Sequence, residues 1–273
     1  MSNELNLKDD FKLVTYKNKG RNQKKTLELK SKIDKDFAPV DPDLIKRRIF
    51  EAKDDLCSSD LYDSFRASMR EGLDCLGNKT VEEIVCFGLG RFSECVISRY
   101  QLALLLSFKE TYSCKVYVYD PIFSKNEIDL LLKLDFEVLN ENTEGKFKVK
   151  GEGLSLFYLP HCPKELSNNL VWSNWGLNLS ACIIISNSFN GIIERNNAKD
   201  LENKAGFICK ILPYTLELAV INSFKYFEVF NDTAIHIFPI NNLKLISNDF
   251  WVISEKEPEY NSNDLEFITK NLY

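Results

Sequence analysis

Gly88-Leu89-Gly90-Arg91-Phe92-Ser93 follows a short apolar run and precedes a helical stretch, so two glycines stand where a strand turns into a helix. Glycine at such a turn lets backbone N–H groups approach a ligand, and the N-terminus of the following helix favours an anionic group. Asp120 closes the next apolar run. From that place a carboxylate accepts hydrogen bonds from the ribose of a nucleotide or of S-adenosylmethionine. The candidate residues for an adenosine-type ligand are therefore Gly88, Gly90, Arg91, Ser93 and Asp120, joined by Asn187 and Ser188 at the end of a later run. Ser93 replaces the third glycine of G-x-G-x-x-G, and two glycines serve a plain tight turn equally well. The spacing leaves both readings open.

His161, Cys162 and His236 form a second group of reactive types. A Cys–His pair becomes nucleophilic only when the two side chains face each other. Neighbours on a continuing strand point to opposite faces, so His161 and Cys162 read as structural groups unless His236 meets one of them across the sheet. No catalytic residue and no metal ligand is assigned. The patterns G-x-S-x-G, G-x-x-x-x-G-K-[ST], H-E-x-x-H and C-x-x-C are all absent, which removes support for serine hydrolases, P-loop enzymes, zincins and zinc ribbons. Trp172 and Trp175, three apart on one helical face, read as cover for the sheet, and Gly191 as part of a polar loop.

Alternating elements must position these groups. Asp41-Pro42 is a good helix start, an N-cap followed by proline at the first helical position, with Ile45, Ile49 and Ala52 on one face. A second helix begins near Ser59 with the stripe Leu61, Phe65, Met69, Leu73 and Leu76, and ends at Gly77-Asn78. Strands then read at Ile84–Phe87, Val116–Tyr119, Phe136–Leu139, Leu154–Leu159, Cys182–Ile185 and Ala234–Phe238. Helices read between them at Phe92–Phe108, Lys125–Leu134 and Lys164–Trp175. Strands that are apolar on both faces and separated by helices mean an α/β layered fold, with a mostly parallel central sheet flanked by helices. Its ligand edge is the carboxyl edge, where Gly88, Asp120, His161 and Asn187 should cluster.

The chain of 273 residues has 44% apolar and 27% charged residues, a globular composition that excludes a disordered chain. Its net charge of −5 is uneven: Phe11 to Lys35 holds nine Lys and Arg against two Asp and Glu. Residues 1–40 thus read as a basic, mobile leader, 41–80 as a helical lead-in and 81–273 as the α/β domain. The longest apolar run, Leu102–Leu106, is far shorter than the ~20 residues of a membrane span, and no secretory signal opens the chain. Eight scattered cysteines then read as reduced thiols of a soluble intracellular protein, cytoplasmic and also nuclear.

Phe87-Gly88-Leu89-Gly90-Arg91-Phe92-Ser93, continued by Ser98-Arg99-Tyr100-Gln101-Leu102-Ala103, resembles the signature of the sensitivity-to-red-light-reduced (SRR-type) domain family. The blocks Val118–Pro121 with Phe123, Phe157–Pro163, Asn168–Trp175, Ile185–Phe189 and Phe230–His236 agree with it, and Ala234 departs from it where a hydroxyl residue is expected. The resemblance covers about Ile84 to Pro239. It implies a Rossmann-like fold and a regulatory protein of circadian-clock input and haem-biosynthesis control, with protein partners and no established catalysis; the short apolar runs argue against a membrane, and the basic leader reads as a solvated tail rather than a nucleic-acid-binding arm. It also marks His161, Cys162 and His236 as family-motif positions. Through the haem connection, Cys162 beside Pro163 becomes a candidate thiolate ligand for haem iron. The alternative is an enzyme or sensor that holds an adenosine-type ligand between Gly88 and Asp120.

Overall fold

The side chain of Asp41 accepts the Asp43 N–H at 3.0 Å, and Pro42 takes the first position of α1 (Pro42–Cys57). Ser59 caps α2 (Asp60–Cys75), which buries Leu61, Phe65 and Met69. The computed structural model describes residues 41–151, 153–252 and 256–260. The basic leader read at 1–40 lies outside the described residues, as do residues 261–273.

Strand β1 (Val81–Phe87) stands at the centre and pairs in parallel with β2 (Lys115–Tyr119) on one side and β4 (Leu154–Tyr158) on the other. The short β3 (Glu137–Val138) lies beyond β2, and β5 (Cys182–Asn187) beyond β4, both parallel. Then come β7 (Thr233–Ile237), antiparallel to both neighbours, and the edge strand β6 (Leu216–Ala219). The order is β3-β2-β1-β4-β5-β7-β6. This is the mostly parallel sheet expected from the apolar runs, with an additional edge strand that was not read in the sequence. No helix among the described residues is long and apolar enough to cross a membrane.

Register sorts the side chains into two layers. Val85, Phe157 and Ile184 lie side by side across β1, β4 and β5. They form one core with α5 (Lys164–Ser173), α8 (Gly206–Ile211) and the turn at Leu243, against which Trp172 and Trp175 pack as expected. On the opposite face the Tyr158 hydroxyl donates to the Gln101 carbonyl of α3 (Val96–Tyr112), and its ring meets Phe108 edge-on. Helix α3 starts four residues later than the apolar pattern suggests. Phe92 is buried, but it belongs to a turn closed by Cys95 N–H on Arg91 O. Helix α4 (Lys125–Lys133) opens with a capping box of Ser124 and Glu127. Helices α6 (Phe189–Arg195) and α7 (Ala198–Lys204) follow β5. Gly191 is therefore not in a polar loop: it is buried inside α6, which Ser188 caps through the Gly191 N–H.

Candidate functional site

Because β1, β2, β4 and β5 run parallel, the segments after them all leave the same sheet edge. Gly88, Asp120, His161 and Asn187 therefore share it. Successive connections diverge between β1 and β4, the switch point where an open α/β sheet forms its crevice.

The glycine turn is held by the chain itself. Gly88 and Gly90 have φ of +72° and +76°, a region that L side chains resist. The Gly90 N–H donates to Asp120 Oδ2 at 2.7 Å, while Asp120 Oδ1 accepts the Ile122 N–H at 3.0 Å. Burial pushes the Asp120 carboxyl above its usual range, against the pull of these two amides. The Ser93 N–H and hydroxyl both donate to Glu127 Oε1 at 2.9 Å, and Glu127 Oε2 accepts the N–H and hydroxyl of Ser124 at 2.9 Å. Glu127 is completely buried. Leu89 and Phe92 are buried beneath the turn, and Arg91 is exposed beside Glu94. Two carboxylates of this chain thus occupy backbone donors that a nucleotide-binding turn offers to an anion.

A Cβ at Gly90 would stand 2.6 Å from the Ser98 hydroxyl, a side-chain tip that can rotate, so backbone strain sets the cost. Gly90→Ala is expected to lose about 1–2 kcal/mol of stability, read by urea unfolding, and Gly90→Val more. Unchanged midpoints for both would show that the turn relaxes freely. Gly191 is no benign comparison, because a Cβ there meets the Arg195 guanidinium at 2.8 Å and Asp232 Oδ1 at 2.9 Å.

His161 and Cys162 diverge, though by a turn rather than by strand alternation, since β4 ends at Tyr158. His161 is exposed at φ +54°, and its Nδ1 lies 3.4 Å from Gln101 Nε2. Cys162 is buried and donates its thiol proton to the Phe87 carbonyl at 3.2 Å, and its own carbonyl accepts Asn187 Nδ2 at 3.1 Å. Burial, and secondarily the Asp120 charge, push its thiol well up, away from the thiolate form. All eight cysteines are free. Among the described residues, no three His, Cys, Asp or Glu side chains gather to hold a metal.

His236 belongs to a different cluster. It is fully buried on β7 with Nδ1 3.0 Å from the Ile184 carbonyl, which can only accept, so Nδ1 carries a proton. Its Nε2 lies 3.0 Å from Glu217 Oε2 on β6, and the Phe189 ring stacks on the imidazole at 3.7 Å. Glu217 also accepts the Ser188 hydroxyl at 2.8 Å, the Phe189 N–H at 2.7 Å and both Asn190 donors. Burial works against this charge, but His236, Ser188 and Asn190 outweigh it and hold the carboxyl down at about 2. The hydroxyl of Ser188 faces the carboxylate rather than the imidazole, so the trio ties α6 to the sheet and lacks a nucleophile–base pair. Sequence reasoning missed Glu127 and Glu217. The S-x-x-E spacing of Ser124–Glu127 signals a capping box, and a lone carboxylate in Leu216-Glu217-Leu218 becomes telling once His236 is known to lie opposite.

Residues 57–237 match the family model of the SRR1 domain. The chain is 46% identical over 133 residues to the SRR1-like protein of Mus musculus, a match covering 46% of this chain and 52% of that protein. It is 28% identical over 251 residues to the SRR1-like protein of Drosophila melanogaster, covering 89% of this chain and 88% of that one. Protein SENSITIVITY TO RED LIGHT REDUCED 1 of Arabidopsis thaliana is 29% identical over 174 residues, with 60% and 61% covered. The matched part thus spans about half of the mouse protein and less than two thirds of the plant one.

Proposed function

This chain belongs to the SRR1 domain family, and from that membership we propose that it is a regulatory protein that works through protein partners and carries no catalysis of its own. Circadian-clock input and haem-biosynthesis control, in cytoplasm and nucleus, are the settings that the family resemblance suggests. One observation supports the absence of a nucleotide function most directly: Asp120 and Glu127 already take the Gly90 and Ser93 amides of the glycine turn. A phosphate or a carboxylate arriving at those amides would have to displace a charge-assisted hydrogen bond, each worth roughly 1.5–3 kcal/mol. The buried, protonated Cys162 likewise disfavours a thiolate bond to haem iron.

The second reading, an adenosine-type ligand, draws on the position of Gly88 at the switch point with Asp120 closing β2. Calorimetric titration of S-adenosylmethionine and NAD, with absorbance titration of haemin, separates the two. No saturable binding to the wild type below millimolar concentration is expected. Stoichiometric S-adenosylmethionine or NAD binding that Asp120→Ala weakens by about ten- to a hundredfold, and Gly88→Ala also weakens, would overturn the proposal. So would a haemin complex that Cys162→Ser abolishes.

A further inference from the structure

Away from the carboxyl edge, α2 and α3 leave a cavity between them. Phe65 and Phe108 join the two helices edge-on at 6.2 Å. Beyond that contact the helices enclose about 260 Å³ of open space walled by Tyr62, Met69, Phe108 and Tyr112. Met69 and Phe108 are buried at its floor, and a thioether beside aromatic rings adapts to side chains of different shape. The rim is cationic. Arg66 and Arg70 stand one helical turn apart over the opening, and no carboxylate lines the cavity. Arg66 meets Asp63 at 3.6 Å with both side chains largely exposed, at 58% and 73%. Such a pair is worth at most about 1 kcal/mol and yields readily to another carboxylate. Arg70 has no ion-pair partner among the described residues. On a chain of net charge −5, two adjacent guanidinium groups over an apolar cavity form a site of distinct chemistry.

We propose that this groove docks an acidic segment of a partner protein, which seats one aromatic or leucine side chain between α2 and α3 and places its carboxylates on Arg66 and Arg70. Charge complementarity selects the occupant. The guanidinium groups fork onto carboxylates, and the walls offer an apolar anchor its burial. A basic or purely apolar segment would leave the arginines facing like charge or stripped of water. The proposal rests on the reading of the chain as a partner-binding regulator and names the chemistry of that partner.

Panning short random peptides displayed on phage against the full chain tests it without choosing the sequence beforehand. The expected result is enrichment of peptides that carry Asp and Glu beside Trp, Phe or Leu. Synthesised and labelled, these should bind the wild type in fluorescence anisotropy, less tightly as salt is raised, and about tenfold or more weaker to the double variant Arg66→Glu/Arg70→Glu. Both substitutions lie on the exposed surface of α2, so unfolding curves should stay close to wild type. Thr111→Trp, which fills the cavity from the α3 side, should also abolish binding without removing charge. Recovery of peptides with no acidic bias, or equal binding to the double variant, would overturn the proposal. Binding of S-adenosylmethionine at the distant glycine turn would sink the non-catalytic reading instead and leave the peptide result to stand by itself.

Discussion

Glu127→Ala should be among the most damaging single changes in the chain, lowering stability by about 2–6 kcal/mol. Its carboxylate is completely buried and takes four donors: the N–H and hydroxyl of Ser93 and of Ser124. Truncation orphans the Ser93 and Ser124 backbone amides in a dry site, each at roughly 1–3 kcal/mol. It also removes the hydrogen-bonded link between the cap of α4 and the turn after β1, leaving the edge-on contact of Phe92 with Phe123. Glu127→Gln should fall between wild type and alanine, since the amide oxygen still serves one serine while its NH2 group confronts the donors of the other. Urea unfolding reads the loss, and amide hydrogen exchange locates it. Ser93 should exchange much faster in the alanine variant, while amides in the middle of β5 follow only the global change. An alanine variant that keeps the wild-type midpoint, or a Ser93 amide as protected as before, would show that the carboxylate does not hold the turn.

Glu217→Ala is expected to cost about 2–5 kcal/mol near neutral pH, since the Ser188 and Asn190 donors lose their acceptor and His236 Nε2 keeps the Phe189 N–H alone at 3.2 Å. His236 has no exposed surface, and Glu217 answers its Nε2 at 3.0 Å. The same carboxylate receives Ser188, Phe189 and Asn190, so its loss loosens the start of α6 as well. This contribution depends on acid in one direction. The folded carboxyl stands at about 2 against an ordinary value of 4.5. A depressed folded value means that the unfolded chain binds the proton first. The stabilisation is therefore complete above the ordinary value and is lost as pH falls from there towards 2. Urea unfolding of wild type and Glu217→Gln across that range should give curves that lie far apart at pH 6 and converge in acid. Curves that stay parallel down to pH 2 would refute the assignment.

Much of the frame was legible because apolar runs and turn chemistry are local signals. Val116–Tyr119 and Cys182–Ile185 announce buried parallel strands, and Asp41-Pro42 announces a helix start. Gly88, Asp120, His161 and Asn187 could be placed on one edge from those runs alone. What escaped depends on partners distant in sequence. Glu127 lies 34 residues from Ser93, and Glu217 lies 29 from Ser188 and 19 from His236. These meetings exist only after β2 lies beside β1 and β7 enters between β5 and β6. Four-residue β6, with half-exposed Leu216 and exposed Ala219, carries too weak an alternation to announce itself. Gly191 was misread because Asn190, Glu194 and Arg195 make its surroundings polar, although Ser188 is a helix cap. Phe92 misled in the opposite sense: an apolar residue just before a helix need not be in it. The thiol-centred reading of His161, Cys162 and His236 drew on residue types, whereas the fold gives each a separate partner: Gln101, Phe87 and Glu217.

The position of β7 also constrains the sequence of events by which the chain assembles. On a ribosome, β6 emerges before β7, yet it touches the sheet only through β7. Until Thr233–Ile237 is released, β5 keeps an open apolar edge and residues 216–219 have no strand to join. The interval ends with one insertion that closes two ladders at once and brings His236 onto Glu217. A growing chain is thus most vulnerable to edge-to-edge association late in its synthesis. Truncations that stop before Thr233 would make that passing state permanent, which makes β7 a condition for solubility as much as for shape.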